Sequence, residues 1–109
     1  MRDSLIRRIL YMHNLKATWR QVELLKRFFD YAKPMDGQLC VPLYDRFSGK
    51  FLLYWEEGYA YQCTALQRIN RFVETGIFEI KSLKIPETGE TRIFLCLKIP
   101  LPKKGLSPS

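Results

Sequence analysis

Residues 64–78 read Thr64-Ala65-Leu66-Gln67-Arg68-Ile69-Asn70-Arg71-Phe72-Val73-Glu74-Thr75-Gly76-Ile77-Phe78. Thr64 and Gln67 stand at capping-box spacing, in which each side chain bonds the other residue's backbone N–H. Ala65, Leu66, Ile69, Phe72 and Val73 share one side of a helical wheel, while Gln67, Arg68, Asn70, Arg71 and Glu74 share the other. Gly76 stands where a left-handed residue closes a helix. The stretch predicts a helix over 64–75, moored by its apolar side and turning two guanidinium groups outward.

Downstream, Ile77 to Ile85 and Thr91 to Ile99 are strand candidates joined by Pro86-Glu87-Thr88-Gly89-Glu90, a β-hairpin. In the return strand Ile93, Leu95, Leu97 and Ile99 alternate with Arg92, Phe94, Cys96 and Lys98, which predicts one buried and one solvated side. Residues 100–109, rich in Pro and Ser, read as a loose tail.

Upstream, residues 2–13 predict a short helix with Leu5, Ile6, Ile9, Leu10 and His13 on one side and Asn14 suited to end it. Thr18 and Gln21 repeat the capping-box spacing, and Val22, Leu25, Phe28, Phe29 and Ala32 follow as an apolar stripe that Pro34 stops. Leu24 and Tyr31 lie beside that stripe, where they widen the core side, receive the first helix or meet a second subunit. Asp36-Gly37 is a turn signal, Leu39-Cys40-Val41 a short strand, and Tyr44 to Gly49 a loop. Lys50 to Glu57 is ambiguous, because Phe51-Leu52-Leu53-Tyr54-Trp55 has strand composition. Ser48 before it and Gly58 after it tip the choice to a short helix.

The order helix, helix, short strand, short helix, helix, hairpin resembles a winged helix-turn-helix domain, most specifically over residues 50–80 and loosely over 18–99. The resemblance implies an α+β fold, a winged helix-turn-helix with an extra N-terminal helix and a C-terminal β-hairpin wing. Lys50–Glu57 stands for the motif's first helix, Gly58-Tyr59-Ala60 for its turn and Gln62–Thr75 for its recognition helix. The hairpin 77–99 stands for the wing, and Leu39–Val41 for the lone strand that joins it. Such a helix enters the major groove, which is about 12 Å wide, and reads base edges with Arg, Lys, Asn, Gln, Ser or Thr. Gln62, Thr64, Gln67, Arg68 and Arg71 supply those groups here, and Lys81, Lys84 and Arg92 would follow the backbone or the minor groove. Arg7, Arg8, Arg20, Arg27, Lys103 and Lys104 are further candidates for phosphate contact. Tyr59 and Tyr61 in the turn, and Glu74 and Glu79 near any nucleic acid, depart from the pattern.

Charge and composition bound the remaining choices. The chain has 109 residues, 47% of them apolar and 14% aromatic, enough for one domain over 1–99 and too much for a disordered chain. The net charge of +7 suits a polyanionic partner. Residues 1–27 carry seven basic and two acidic groups, residues 81–109 six and two, and residues 28–80 five and seven. Contact with a polyanion should therefore lean on both ends. No apolar run approaches the ~18–20 residues of a membrane span, and Arg7 and Arg8 interrupt any signal-peptide core. Three cysteines without a close pair fit a reduced interior and a cytoplasmic location. Cys40, Cys63 and Cys96 with His13 lack paired ligand spacing, so no metal is expected. Cys63, just before the predicted helix, is a candidate for a lowered thiol pKa. A glycine-rich phosphate loop is missing, and Glu56 and Glu57 point to different sides of a helix, so neither an enzyme nor a cofactor is expected.

The expected partner is double-stranded DNA, engaged by a transcriptional regulator or replication accessory factor. A homodimer would form through Leu5, Ile9, Leu24 and Tyr31. The alternatives are a winged-helix module of phage or plasmid type that docks on a protein, and a single-strand binder stacking bases on Tyr54, Trp55, Tyr59 and Tyr61. The last needs strands over 39–61.

Overall fold

The computed structural model describes residues 2–47, 49, 52–53 and 59–99, residues 59–65 through their backbone. Its described elements are α1 (Asp3–Met12), α2 (Trp19–Tyr31), β1 (Lys33–Met35), β2 (Gln38–Pro42), α3 (Tyr59–Glu74), β3 (Phe78–Lys84) and β4 (Thr91–Leu97). The architecture is α+β, with a four-stranded antiparallel sheet in the order β1-β2-β4-β3. Of Lys50–Glu57, only Leu52 and Leu53 are described, and they lie in a turn. The rest of that segment, Gly58 and the tail 100–109 lie outside the described residues.

Local chemistry accounts for the helix ends. Asn14 takes φ 58° after α1, and the N–H of Leu15 donates to the carbonyl of Leu10 while that of Asn14 donates to Tyr11. Gly76, at φ 88°, closes α3 with the same double bond, from Ile77 to Phe72 and from Gly76 to Val73. Both are Schellman closures, and each brings two buried apolar residues together, Leu10 with Leu15 and Phe72 with Ile77. At the start of α2, Thr18 accepts a bond from the N–H of Gln21. The reciprocal half of that box does not form, because the Gln21 amide donates to the carbonyl of Lys16.

Three elements differ from the expectation drawn from sequence. The helix predicted from Gln62 begins at Tyr59. Tyr59 and Ala60 are therefore helical where a turn was expected, and Thr64 lies inside α3 where it cannot cap. No Pro or Gly from Tyr59 to Cys63 halts the helix, so it extends back through them. Pro34 ends α2 as expected but then sits within β1, an edge strand that tolerates its missing N–H. Asp36 and Gly37, both at positive φ, form the two-residue turn that places Met35 opposite Gln38.

The alternation of β4 is the third difference. Leu95 and Leu97 face the helices, joined in one core cluster with Ile6, Leu10, Leu24, Leu25, Phe28, Val41, Ile69, Phe72 and Phe78. Phe94 and Cys96, expected on the solvated side, are 3% and 0% exposed. They form a second small cluster with Cys40, flanked by Met35, Leu83 and Ile85. The β1–β2 hairpin and the end of β3 supply that cover, which no single strand's pattern announces. Towards the hairpin tip Ile93, expected inside, is 43% exposed, as is Ile80.

Phe78 joins the layers. Its ring centroid lies 4.6 Å from that of Phe28 on α2 and 5.7 Å from that of Phe72 on α3. Replacing it by Ala should destabilise the chain by about 3–5 kcal/mol, the range for truncating a buried Phe. Gly76→Ala should lose a smaller amount, about 1–2 kcal/mol, from backbone strain alone, since a Cβ there would meet nothing within 4 Å. Urea denaturation of the two variants checks the ranking.

Candidate nucleic-acid interface

Ile69 and Phe72, three residues apart on α3, are 1% and 0% exposed. Their burial sets the roll of the helix, because side chains three and four apart share one side. Gln67, Asn70, Arg71 and Glu74 consequently lie exposed, and with Arg68 they line one shallow surface groove. Arg71 stands in the last turn, where its charge complements the helix dipole. The Thr75 hydroxyl donates to the carbonyl of Arg71 at 2.9 Å and tightens that turn. Arg68 is half-buried and already interacts within the chain. Gln62 and Thr64 belong to α3 by backbone, and their side chains lie outside the described residues. Asn70, absent from the candidates read from sequence, stands on the same exposed side. Its place on the polar half of the wheel was the available signal.

The basic groups expected of the hairpin divide. Lys84 is exposed. The Lys81 ammonium donates to the side-chain oxygen of Gln38 at 2.6 Å and lies 3.7 Å from the Glu79 carboxylate. The Gln38 amide in turn donates to Glu79 at 3.0 Å and to the carbonyl of Leu97 at 3.1 Å. This net ties β2 to β3 across β4, so Lys81 is held against its own sheet. Arg92 donates to the carbonyl of Tyr44 at 3.0 Å, which pins the hairpin to the loop after β2.

Of the other cations, Arg7 and Arg8 are exposed on α1 and flank a shallow groove with Ser4, Tyr11 and Met12. The Arg20 guanidinium lies 5.8 Å over the Trp19 ring, and Arg27 faces Glu23 at 3.8 Å. Lys103 and Lys104 lie outside the described residues.

Two of the four positions expected to form a dimer are core residues of this chain. Ile9 is 5% exposed and Leu24 0%. Packing of α1 on α2 covers both, which leaves them no surface to offer a second copy. Leu5 is half-buried and Tyr31 52% exposed. The base-stacking alternative needs strands over 39–61, but Tyr59 and Tyr61 lie in α3, and Tyr54 and Trp55 lie outside the described residues.

Cys40 and Cys96, unrelated in sequence spacing, are directly opposed across β2 and β4. Both are buried free thiols, with Cys40 donating to the sulfur of Cys96 at 2.7 Å. Burial, and then the bond with Cys40, push the Cys96 thiol from its ordinary 9.0 up to about 12. Cys63 falls inside α3, not ahead of it. His13 Nδ1 donates to the carbonyl of Ile9 at 2.8 Å. Among the described residues no three His, Cys, Asp or Glu side chains converge as metal ligands would, and no helix is long and apolar enough to cross a membrane. Comparison with protein-family models, curated proteins and solved structures finds no match to the chain.

Two outcomes follow from these placements. Arg71→Ala should change stability by no more than ~0.5 kcal/mol, as for an exposed side chain. Leu24→Ala should cost about 2–5 kcal/mol, by the same amount at all protein concentrations in chemical denaturation. A third concerns pH. A thiol whose folded pKa lies above its unfolded one stabilises the fold below the unfolded value. That contribution should be intact below pH 9.0 and lost as the pH rises towards about 12. Cys96→Ala should show a shallower decline over this interval than the parent chain.

Proposed function

We propose that the protein binds double-stranded DNA as a winged-helix type of module, with α3 laid in the major groove. The observation that carries this reading is the roll of α3. Ile69 and Phe72 moor it to the core, and Gln67, Asn70 and Arg71 are presented outward on a rigid element. Three further features support it. β2 lies beside β4, as a strand of a winged domain lies beside the wing, although here β1 pairs with β2, which is therefore not the lone strand expected. α3 passes through Gly76 directly into the β3–β4 hairpin. The net charge is +7.

In this arrangement Arg71 is suited to the two acceptors of guanine, and Asn70 or Gln67 to the donor and acceptor of adenine. Glu74 either accepts from the amino group of cytosine or rejects a misplaced phosphate. Arg7 and Arg8 on α1 and Lys84 on the hairpin supply phosphate contacts that fix register without reading sequence. Lys81 and Arg92, engaged within the chain, stiffen the hairpin instead. The role would be that of a regulator or a replication accessory factor.

A protein-docking module is the second reading, favoured by Tyr11, Met12 and Trp19, which are 62%, 73% and 64% exposed. Titration of a fluorescent mixed-sequence duplex separates the two. Phosphate contacts from Arg7, Arg8 and Lys84 predict an affinity loss of roughly 40-fold between about 50 and 200 mM salt. Arg71→Ala should weaken binding to a preferred site by about 1–3 kcal/mol. A chain that fails to bind duplex at the lowest salt overturns the DNA reading and leaves the protein partner.

A further inference from the structure

The β2–β4 seam holds a feature that nucleic-acid binding does not use. Cys40 and Cys96 occupy directly opposed positions on neighbouring antiparallel strands. Opposed residues on such strands have Cα atoms about 4.5–5.5 Å apart and side chains on the same side of the sheet. A disulfide needs Cα atoms about 4.4–6.8 Å apart and Cβ vectors that converge. The two sulfurs are in contact at 2.7 Å, so neither strand must shift register to join them. Both thiols are free.

We propose that Cys40 and Cys96 are a modification site, a thiol pair that hydroperoxides oxidise to a cross-strand disulfide. Cys40 is the entry thiol. It lines a cavity of about 780 Å³ together with Tyr31, Met35, Pro42, Ile85 and Phe94. Cys40 is itself only 1% exposed and Cys96 0%, but Cys40 lines that cavity and Cys96 does not, so a small oxidant meets the Cys40 sulfur first. The Cys40 sulfur, losing its proton, attacks one oxygen of hydrogen peroxide; the O–O bond breaks, and the departing hydroxide takes the proton away as water. This leaves a sulfenic acid on Cys40. The Cys96 sulfur then attacks the Cys40 sulfur. The S–O bond breaks, and the second hydroxide leaves as water with the Cys96 proton. In total two thiols and one peroxide become one disulfide and two waters, with two electrons passing from sulfur to oxygen.

The position gives the bond a consequence. β3 and β4 are paired over seven residues, whereas β2 and β4 are opposed at Cys40, Val41 and Pro42, with a further backbone bond from the Leu43 N–H to the Ile93 carbonyl at 3.0 Å. This short seam unites the β1–β2 hairpin with the β3–β4 hairpin. A disulfide across it would join the two hairpins covalently.

The test uses the full chain, treated with hydrogen peroxide and then alkylated under denaturing conditions. Intact mass should fall by two hydrogens before alkylation. Peptide mapping should place Cys40 and Cys96 in one crosslinked species, with Cys63 alkylated. The thermal midpoint should rise and return to its starting value with dithiothreitol. Cys63→Ser, which leaves the pair untouched, should oxidise at the parent rate and guards against failure of Cys40→Ser or Cys96→Ser to fold. Alkylation of all three thiols after peroxide, a crosslink that includes Cys63, or stepwise oxidation of Cys40 to sulfinic acid without a crosslink would each overturn the proposal. None of these outcomes depends on whether the chain binds DNA.

Discussion

The Phe78 ring is the joint on which the molecule turns. It is the first residue of β3 and meets Phe28 from α2 and Phe72 from α3, all three rings at 1% exposure or less. Edge-to-face and tilted rings interlock in only a few orientations, because the electron-rich face of one seeks the positive edge of another. The contact therefore fixes the roll of α3 as well as its distance from the sheet. Gly76 makes this geometry reachable. Its left-handed conformation reverses the chain between Phe72 and Phe78 within a single closure, so helix and strand leave the same corner of the core.

The outward side of α3 is a consequence of that joint. Gln67, Asn70, Arg71 and Glu74 are exposed because Ile69 and Phe72 are not. The cations of the sheet obey a different constraint. Lys81, Glu79 and Gln38 form a three-sided net over β4, and its ammonium is held by neighbours in the chain. The same residue type thus serves two ends: at Lys84 the charge faces solvent, at Lys81 it steadies the sheet. A charge count does not separate these roles.

Much of the helical structure was legible from one residue and its neighbours. Asn14 and Gly76 end their helices where their tolerance of positive φ suggested, and Asp36-Gly37 turns the chain for the same reason. Most of the polar side of α3 followed from period, but Arg68, expected outward, is half-buried and Leu66, expected inward, is 39% exposed. What escaped reading is non-local. β1 exists because the β1–β2 turn folds Lys33–Met35 back onto β2, and a three-residue strand containing Pro34 carries no pattern of its own. Phe94 and Cys96 are buried because Met35, Leu83 and Ile85, distant in sequence, gather around them.

By itself, the sequence determined helix stripes, left-handed closures, the tight turn and a hairpin after α3, since each rests on residues within a turn or two of one another. Only the tertiary structure decided that Ile9 and Leu24 face inward, that Lys81 and Arg92 are engaged, and that Cys40 meets Cys96. Those facts depend on which strands become neighbours and in what register, and one residue of slippage would reverse every side chain along the seam. Register is set by the summed burial of the whole core, so no short stretch encodes it.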